Sequence, residues 1–193
     1  MLRLFIAAEL SEALRNRIVD AVDTIKRESA TPVKWLTQDN YHITLRFLGD
    51  TPEDRLPALE RLVRSAAEEL SPAFVKAGGA GCFPTCKRPR VLYVAIDDPE
   101  GRLSEWHRFL ESSLDRDLGL EPEDRSFRPH ITVAYARERK RGDRELVQAA
   151  VGRLGALVVE EPEQLSRIVL FQSELGPRGA VHRPICSAQL SKR

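Results

Sequence analysis

Two short segments of the sequence each place a threonine two residues after a histidine, among apolar residues. The first lies in YHITLRFLG and the second in PHITVAYAR. Side chains alternate between the two faces of a β-strand, so His42 and Thr44 share a face of one strand, and His130 and Thr132 share a face of another. Each strand is therefore predicted to have a polar face with one imidazole and one hydroxyl and an apolar face for the core, which in the first strand contains Ile43, Leu45 and Phe47.

An imidazole and a hydroxyl from each of two strands suit acid–base chemistry on a phosphodiester. A neutral imidazole can take a proton from an attacking water, and an imidazolium can give a proton to the departing alkoxide. The reference pKa of about 6.5 makes both forms accessible near neutral pH. Threonine hydroxyls can donate hydrogen bonds to the non-bridging phosphate oxygens. Such a site needs no metal and no cofactor. The two histidines could instead bind a metal, but no third histidine or carboxylate is evident beside them.

The repetition of the tripeptide is the observation that favours function over ordinary sheet surface. With four histidines and the threonines present, chance predicts about 0.15 His-x-Thr tripeptides in a chain of this composition. One copy in a strand would be unremarkable sheet surface. Two copies, in matching contexts in opposite halves of the chain, indicate a shared site.

The elements that must position these strands follow the order strand, helix, strand, helix, and then repeat it. Strands are predicted over residues 2–8, 41–48, 91–97, 156–160, 167–174 and 180–190, besides the strand of the second motif. Helices are predicted where apolar residues recur at helical spacing, over 14–25, 56–70, 103–118 and 144–154, and Ser11 is predicted to cap the first of them. The Gly- and Pro-rich segment 75–90 is predicted to be a loop with short extended pieces on either side. This interleaving favours an α+β fold over a doubly wound parallel sheet.

The composition predicts a cytoplasmic protein without a membrane segment. The net charge of +1 provides no overall field toward nucleic acid, so RNA would have to be held by a local patch. No apolar run reaches the roughly 20 residues that span a bilayer, and Glu9 interrupts the apolar start of the chain. The three cysteines, Cys82, Cys86 and Cys186, are an odd number without zinc-site spacing, which favours reduced thiols.

Two arginines lie an even number of residues from a motif histidine, so each is predicted to share the strand face of that histidine. Arg128 precedes His130 by two residues, and its guanidinium could bind the phosphate. Arg46 follows His42 by four residues, and the same reasoning makes it a candidate substrate contact. A solvated surface arginine is the alternative for both.

A basic cluster beside an aromatic residue is a candidate surface for single-stranded RNA. Lys87, Arg88 and Arg90 could hold the backbone, and Phe83 could stack on a base. The alternative is a solvated loop. The segment ARERKRGDR is also basic, but its acidic residues favour an exposed turn.

Three other residues are predicted to be structural rather than functional. Trp35 and Tyr41 could stack on a nucleobase, but aromatic residues in short strands more often lie in the core. His107 is predicted to be partly buried on a helix.

The sequence resembles the two-histidine (2H) phosphoesterases and, among them, the RNA 2′,3′-cyclic phosphodiesterases of bacteria and archaea, also called 2′-5′ RNA ligases. The resemblance is carried by RLFIAAELSEALR, VKWLTQDNYHITLRFLG, GCFPTCKRPRVLYVAI and FRPHITVAYAR, in order and spacing over nearly the whole chain. It implies one domain over residues 1–193, made of two intertwined lobes. The implied fold is bilobal and pseudo-twofold, with two antiparallel β-sheets, outer helices and a central cleft.

The resemblance also implies a reaction: the hydrolysis of a 2′,3′-cyclic phosphate RNA end to a 2′-phosphate. By this analogy His42 is the general acid that protonates the 3′ oxygen, and His130 is the general base that activates water. Thr44 and Thr132 hold phosphate oxygens. The near-symmetric pocket leaves open which histidine has which role. Reversal with an RNA 5′-hydroxyl would form a 2′-5′ link without ATP. The resemblance implies RNA as partner, and nothing in the sequence demands more than a monomer.

Two alternatives and one departure accompany this prediction. The substrate could be a small cyclic phosphate such as ADP-ribose cyclic phosphate, or the protein could bind RNA ends without turnover. Near the C-terminus the family tends to have Gly-x-x-Tyr, but here His182 occupies the tyrosine position after Gly179. Any substrate contact made by that tyrosine is therefore in question.

Overall fold

The computed structural model describes residues 1–137, 142–157, 161–176 and 179–191. The helices in these residues are α1 (Glu12–Glu28), α2 (Leu56–Glu69), α3 (Arg102–Leu118) and α4 (Asp143–Leu157). The strands are β1 (Leu2–Ala8), β2 (Val33–Trp35), β3 (Ile43–Thr51), β4 (Ala73–Thr85), β5 (Arg88–Asp97), β6 (His130–Ala136), β7 (Glu163–Leu165), β8 (Arg167–Gly176) and β9 (Gly179–Gln189). Short 3₁₀ turns at Gln38–Asn40 and Glu53–Arg55 precede β3 and α2.

The strands form antiparallel ladders in the order β7-β4-β5-β6-β3-β1-β8-β9, and β2 also pairs with β6. One half of the sheet is β3-β1-β8-β9 and the other is β6-β5-β4-β7. The halves meet where Ile43 of β3 pairs with Ile131 of β6. The predicted α+β fold is confirmed, and the two expected sheets are joined through this residue pair into one.

The helices cover the sheet in an exchanged arrangement. α3 follows β5 in the chain, but it packs with α2 against the half of the sheet that contains β3. α1 follows β1, but it packs against α4, which lies on β4 and β5 of the other half. α3 thus packs on the half of the sheet that lacks the strand before it, and α1 reaches the other half through α4.

Helix α1 begins where the sequence predicts. The Ser11 hydroxyl accepts a hydrogen bond from the Leu14 backbone N–H at 3.1 Å, which satisfies one of the free donors at the start of a helix. Leu14, Ile18, Val22 and Ile25 are buried on one side of the helix. The predicted cap and the predicted apolar face are both confirmed.

The prediction of a loop over residues 75–90 is wrong. These residues form most of a β4–β5 hairpin that closes where Thr85 pairs with Arg88. Glycines that indicate a loop can also serve close approach within a strand. At Gly81 a Cβ atom would lie 2.5 Å from the Tyr93 hydroxyl oxygen, so the absent side chain makes room for the Tyr93 ring.

Near the C-terminus, the predicted strands over 167–174 and 180–190 are confirmed as β8 and β9. The predicted strand over 156–160 is wrong at its start, because residues 156 and 157 end α4, and residues 158–160 lie outside the described part. Residues 138–141 of the predicted basic turn also lie outside it. Among the described residues, every helix is too short or too polar to cross a membrane.

Candidate active site

The strand of the first motif contains one extra residue directly after its threonine. Thr44 pairs with Ala7 of β1 and Arg46 pairs with Ile6, so Leu45 is left without a partner in the ladder. An extra residue of this kind is a β-bulge, and it breaks the alternation of side chains along the strand. Arg46 therefore lies on the Ile6 face of the sheet, opposite to the face of Thr44.

The strand of the second motif repeats this feature. Thr132 pairs with Tyr93 of β5 and Ala134 pairs with Leu92, which leaves Val133 unpaired at the equivalent position. The bulge is thus a second property, besides the tripeptide, that the two motifs share.

The bulge corrects the predicted role of Arg46. Its guanidinium lies among the helices, where Nη1 donates to both carboxylate oxygens of Glu111 at 2.8 Å. The side chains of Arg46 and Glu111 are only 8% and 12% exposed. Arg46 is therefore not a substrate contact.

Phe47, which strand parity assigned to the core, is instead 60% exposed. Its ring centroid is 5.9 Å from that of Phe5, on the face that carries His42.

The four motif side chains lie around the pair that joins the halves of the sheet. Ile43 and Ile131 are fully buried, so the residues beside them face the opposite side of the sheet. Continuing the antiparallel register from this pair places each histidine across from the threonine of the other motif. The four residues are His42, Thr44, His130 and Thr132. The two histidines are then diagonal neighbours, for which a spacing of about 7–8 Å is typical.

Each histidine is oriented by the carbonyl group two residues before it. His130 Nδ1 lies 2.7 Å from the Arg128 carbonyl oxygen, and His42 makes a backbone hydrogen bond to Asn40. A carbonyl oxygen can only accept, so Nδ1 of His130 carries the proton and donates it. In the neutral ring Nε2 then has the free lone pair, as proton transfer requires.

Aromatic rings surround His42. Its ring centroid lies 4.8 Å from that of Phe5 and 6.1 Å from that of Phe171, and these two phenylalanines stack on each other. Burial is the main cause that lowers the pKa of His42 to about 3, and charge on His182 and on His130 lowers it further. In the free protein His42 is therefore neutral at pH 7.

His130 has a similar environment on the other half of the sheet. Phe83 and Tyr93 stack at 4.3 Å, and both rings meet the His130 ring at steep angles, with centroids 4.9 and 5.4 Å away. Burial lowers the pKa of His130, although its hydrogen bond to the Arg128 carbonyl acts in the opposite direction.

His182 joins the site as a third imidazole. It lies on β9, and its ring meets the rings of His42 and Phe5 edge-on, at 5.3 and 4.9 Å. Burial lowers its pKa. Its Nδ1 is buried and has no hydrogen-bond partner among the described residues. The sequence singles out this position only as a departure from the family pattern.

The structure brings some of the other predicted residues to the site and leaves others apart. Phe83 contacts the His130 ring, but Lys87, Arg88 and Arg90 lie further along the exposed end of the hairpin. Arg128 lies in the loop before β6 and is exposed. The phosphate and RNA contacts assigned to these residues stay predictions.

Two of the residues predicted to be structural are buried or partly buried. Tyr41 is 4% exposed, and burial raises the pKa of its hydroxyl. His107 is partly buried, and its Nδ1 donates to the Leu45 carbonyl oxygen at 2.8 Å.

Sequence reasoning missed Phe5, Phe47, Tyr93 and Phe171 as residues of the site. Their adjacency depends on strand order and bulges, for which the sequence contains no local signal. Among the described residues, no three His, Cys, Asp or Glu side chains are grouped so that they could hold a metal ion.

Comparison with known proteins accounts for both halves of the chain. The family model described as LigT like Phosphoesterase matches twice, over residues 9–93 and 94–182. Each match contains one His-x-Thr motif. The two motifs therefore belong to two copies of the same family pattern.

Two curated relatives align over most of their length and of this chain. The RNA 2′,3′-cyclic phosphodiesterase of Methanothermobacter thermautotrophicus is 32% identical over 180 residues, 93% of this chain and 94% of the relative. That of Thermus thermophilus is 31% identical, over 94% of this chain and 86% of the relative.

Solved structures share the fold. TT0787 of Thermus thermophilus superposes with a TM-score of 0.79 at 26% identity, over 97% of each chain. E. coli LigT in complex with 3′-AMP gives a TM-score of 0.73 at 21% identity over 99% of each chain, which is a likeness of fold. Since both halves of the chain match the family, the protein belongs to the LigT-like phosphoesterases, and it is a hydrolase of the two-histidine superfamily.

Proposed function

We propose that the protein is an RNA 2′,3′-cyclic 3′-phosphodiesterase that forms 2′-phosphate ends by acid–base catalysis with two histidines and without a metal ion. The observation that carries this proposal is the arrangement around Ile43 and Ile131. Two imidazoles lie diagonally across one strand pair, each beside a threonine and each with a backbone hydrogen bond. The curated relatives named RNA 2′,3′-cyclic phosphodiesterase support the same reaction.

The proposed reaction is one displacement at phosphorus. The cyclic phosphate lies between the two Nε2 atoms, and the hydroxyls of Thr44 and Thr132 donate to its non-bridging oxygens. His130 removes a proton from water as the water oxygen bonds to phosphorus. The bond from phosphorus to the 3′ oxygen breaks, and His42 gives that oxygen a proton. The product has a 2′-phosphate and a 3′-hydroxyl, and proton exchange with solvent restores both rings.

The pKa values of the free site bear on how His42 acquires its proton. His42 and His130 are both neutral at pH 7, because burial lowers both pKa values. A phosphate anion between the rings favours the charged imidazolium and raises these pKa values. We therefore assign proton uptake by His42 to the complex with substrate.

RNA, rather than a small nucleotide, is the substrate that the surroundings favour. Phe47 is exposed on the face of β3 that carries His42 and offers a ring on which a base can stack. Arg128 and the cluster Lys87, Arg88 and Arg90 are exposed cations that could follow the phosphate backbone. ADP-ribose cyclic phosphate would use the central residues but not this surface. Attack by an RNA 5′-hydroxyl on the same phosphate would give the 2′-5′ link of the reverse reaction.

We also infer that the chain is one domain of two intertwined lobes that acts as a monomer in the cytoplasm. The exchanged packing of α1 and α3 supports the single domain. All three cysteines, each within the described residues, are thiols rather than disulfides, which suits a reducing compartment.

The test is hydrolysis of a short RNA with a 2′,3′-cyclic phosphate end, in excess EDTA, by the wild type, His42→Ala and His130→Ala. We expect 2′-phosphate product from the wild type and loss of at least about 100-fold in each variant. Glu105→Gln is the control, because it changes an ionisable side chain of α3 that pairs with Arg102 outside the site.

Three results would contradict parts of the proposal. Activity abolished by EDTA would mean that a metal is needed. Turnover of ADP-ribose cyclic phosphate but not of RNA would mean that the substrate is a small cyclic phosphate. Tight binding of the RNA end without turnover would mean that the protein binds RNA ends and is not an enzyme on them.

A further inference from the structure

Arg46 and Glu111 form a buried ion pair that also holds the loop between α3 and β6. Besides the two bonds between the side chains, Arg46 Nη2 donates to the Glu121 carbonyl oxygen at 2.6 Å. Glu111 Oε2 accepts a hydrogen bond from the Glu123 backbone N–H at 3.0 Å. The ion pair thus binds one acceptor and one donor of the loop backbone.

One turn earlier on α3, His107 holds the end of the same loop. Its ring stacks on Phe127, with centroids 4.5 Å apart and planes 9° from parallel. Its Nδ1 donates to the carbonyl oxygen of Leu45, the extra residue of the β3 bulge. Residues three or four apart share a face of a helix, so His107 and Glu111 together connect β3 to the loop.

This loop provides the carbonyl group that orients His130. Phe127 directly precedes Arg128, whose carbonyl oxygen accepts the His130 Nδ1 proton at 2.7 Å. Residues 121–128 have no regular structure and are exposed except for Phe127. On its C-terminal side the loop is held by β5, where the Ile96 N–H donates to the Pro129 carbonyl oxygen at 3.1 Å. On its N-terminal side the contacts to α3 and β3 hold the loop and so contribute to where the Arg128 carbonyl lies.

The equivalent carbonyl for His42 belongs to a residue held both by its own turn and by β9, where the Asn40 side-chain amide donates to the Ala180 carbonyl oxygen at 3.2 Å. Asn40 closes a short 3₁₀ turn in which its N–H bonds to the Thr37 carbonyl and the Tyr41 N–H bonds to the Gln38 carbonyl. Each histidine thus has the same kind of orienting hydrogen bond, but different contacts hold the carbonyl group that accepts it.

We propose that Arg46, Glu111 and His107 are positioning residues for His130, which they orient by holding the 121–128 loop. The inference rests on the proposed function for its effect on catalysis. A buried ion pair by itself is weak evidence for stability, because lost hydration offsets much of the attraction between the charges. Its bonds to the loop give this pair a geometric role.

The test compares Glu111→Gln with Glu105→Gln. Both change a carboxylate on α3 that pairs with an arginine, since Glu105 binds Arg102 at 2.8 Å, but only Glu111 contacts the loop. For Glu111→Gln we expect a mixed tautomer at His130 in imidazole ¹⁵N NMR and faster hydrogen exchange at Glu123. We expect kcat to fall about tenfold or more with KM nearly unchanged, and Glu105→Gln to match the wild type in all of these.

Two further variants separate positioning from folding. Phe127→Leu keeps the ion pair and removes only the ring stack, and it should change the His130 tautomer in the same direction. Arg46→Lys keeps the charge but cannot make all three hydrogen bonds. Its kcat and its His130 tautomer should therefore be little closer to the wild type than those of Arg46→Ala. A folded Glu111→Gln protein with an unchanged His130 tautomer and unchanged kcat would overturn the inference. If the wild type proves inactive on RNA, the proposed function fails, but the tautomer and exchange measurements still decide the inference.

Discussion

His182 meets the ring of His42 edge-on, with ring centroids 5.3 Å apart and planes at 85°. Charge on His182 is the second-largest cause, after burial, that lowers the pKa of His42. Two imidazoles at this distance do not both become charged without mutual repulsion. The protonation of His182 therefore bears directly on whether His42 can hold a proton.

The first prediction concerns this pair. Replacing His182 by Asn removes a charge that opposes protonation of His42, so the pKa of His42 should rise. Titration of the His42 imidazole by ¹⁵N NMR measures it. Val181→Asn, which places the same side chain one residue earlier on β9 at an exposed position, should leave the titration unchanged. An unchanged pKa of His42 in His182→Asn would mean that His182 has no part in lowering it.

The second prediction concerns stability and pH. His42, His130 and His182 all have lowered pKa values in the folded protein, so the unfolded chain binds more protons below about pH 6.5. The free energy of unfolding should be greatest above that pH and should fall as the pH drops toward 3, the approximate pKa of His42. Urea unfolding at pH 7.5, 6, 5 and 4 measures the slope. His42→Gln should flatten it, and an unchanged slope in that variant would contradict the assignment.

The third prediction separates acid from base. A substrate whose 3′ bridging oxygen is replaced by sulfur needs little protonation of its leaving group. With this substrate His42→Ala should recover most of the lost rate, whereas His130→Ala should stay slow, because water still needs a base. Recovery in His130→Ala instead would exchange the two roles.

The fourth prediction concerns base stacking on Phe47, on the sheet face that carries His42. Phe47→Ala should weaken binding of the cyclic RNA end, since stacking contributes about 1–3 kcal/mol per base. KM should rise while kcat at saturation changes little. Phe74, which is exposed on β4 at the edge toward β7, provides the control Phe74→Ala. A KM equal to that of the wild type would remove Phe47 from the RNA surface.

What the sequence predicts correctly is what periodicity and chain order determine. Ser11 begins α1 because its side chain caps the helix, and Leu14 and Ile18 are buried because their spacing gives the helix one apolar face. The alternation of strands and helices in each half also follows from local patterns, and it led to the correct fold class.

The errors come from features that depend on tertiary contacts. A bulge at Leu45 depends on pairing with β1, so parity along the sequence placed Arg46 and Phe47 on the wrong faces. The use of Gly81 in a strand depends on Tyr93, which is twelve residues away in the chain. His182 reaches His42 only because β8 and β9 follow β1 in the sheet.

The exchanged helices have a consequence for folding. The halves of the sheet meet directly at one pair, Ile43 and Ile131. α3 follows β5 but packs on β3 of the other half, and α1 follows β1 but packs on α4, which lies on the other half. Neither half can bury its apolar face with its own contiguous stretch of chain. The protein should therefore unfold as a single cooperative unit, and a polypeptide cut between α2 and β4 should regain structure only when both fragments are present together.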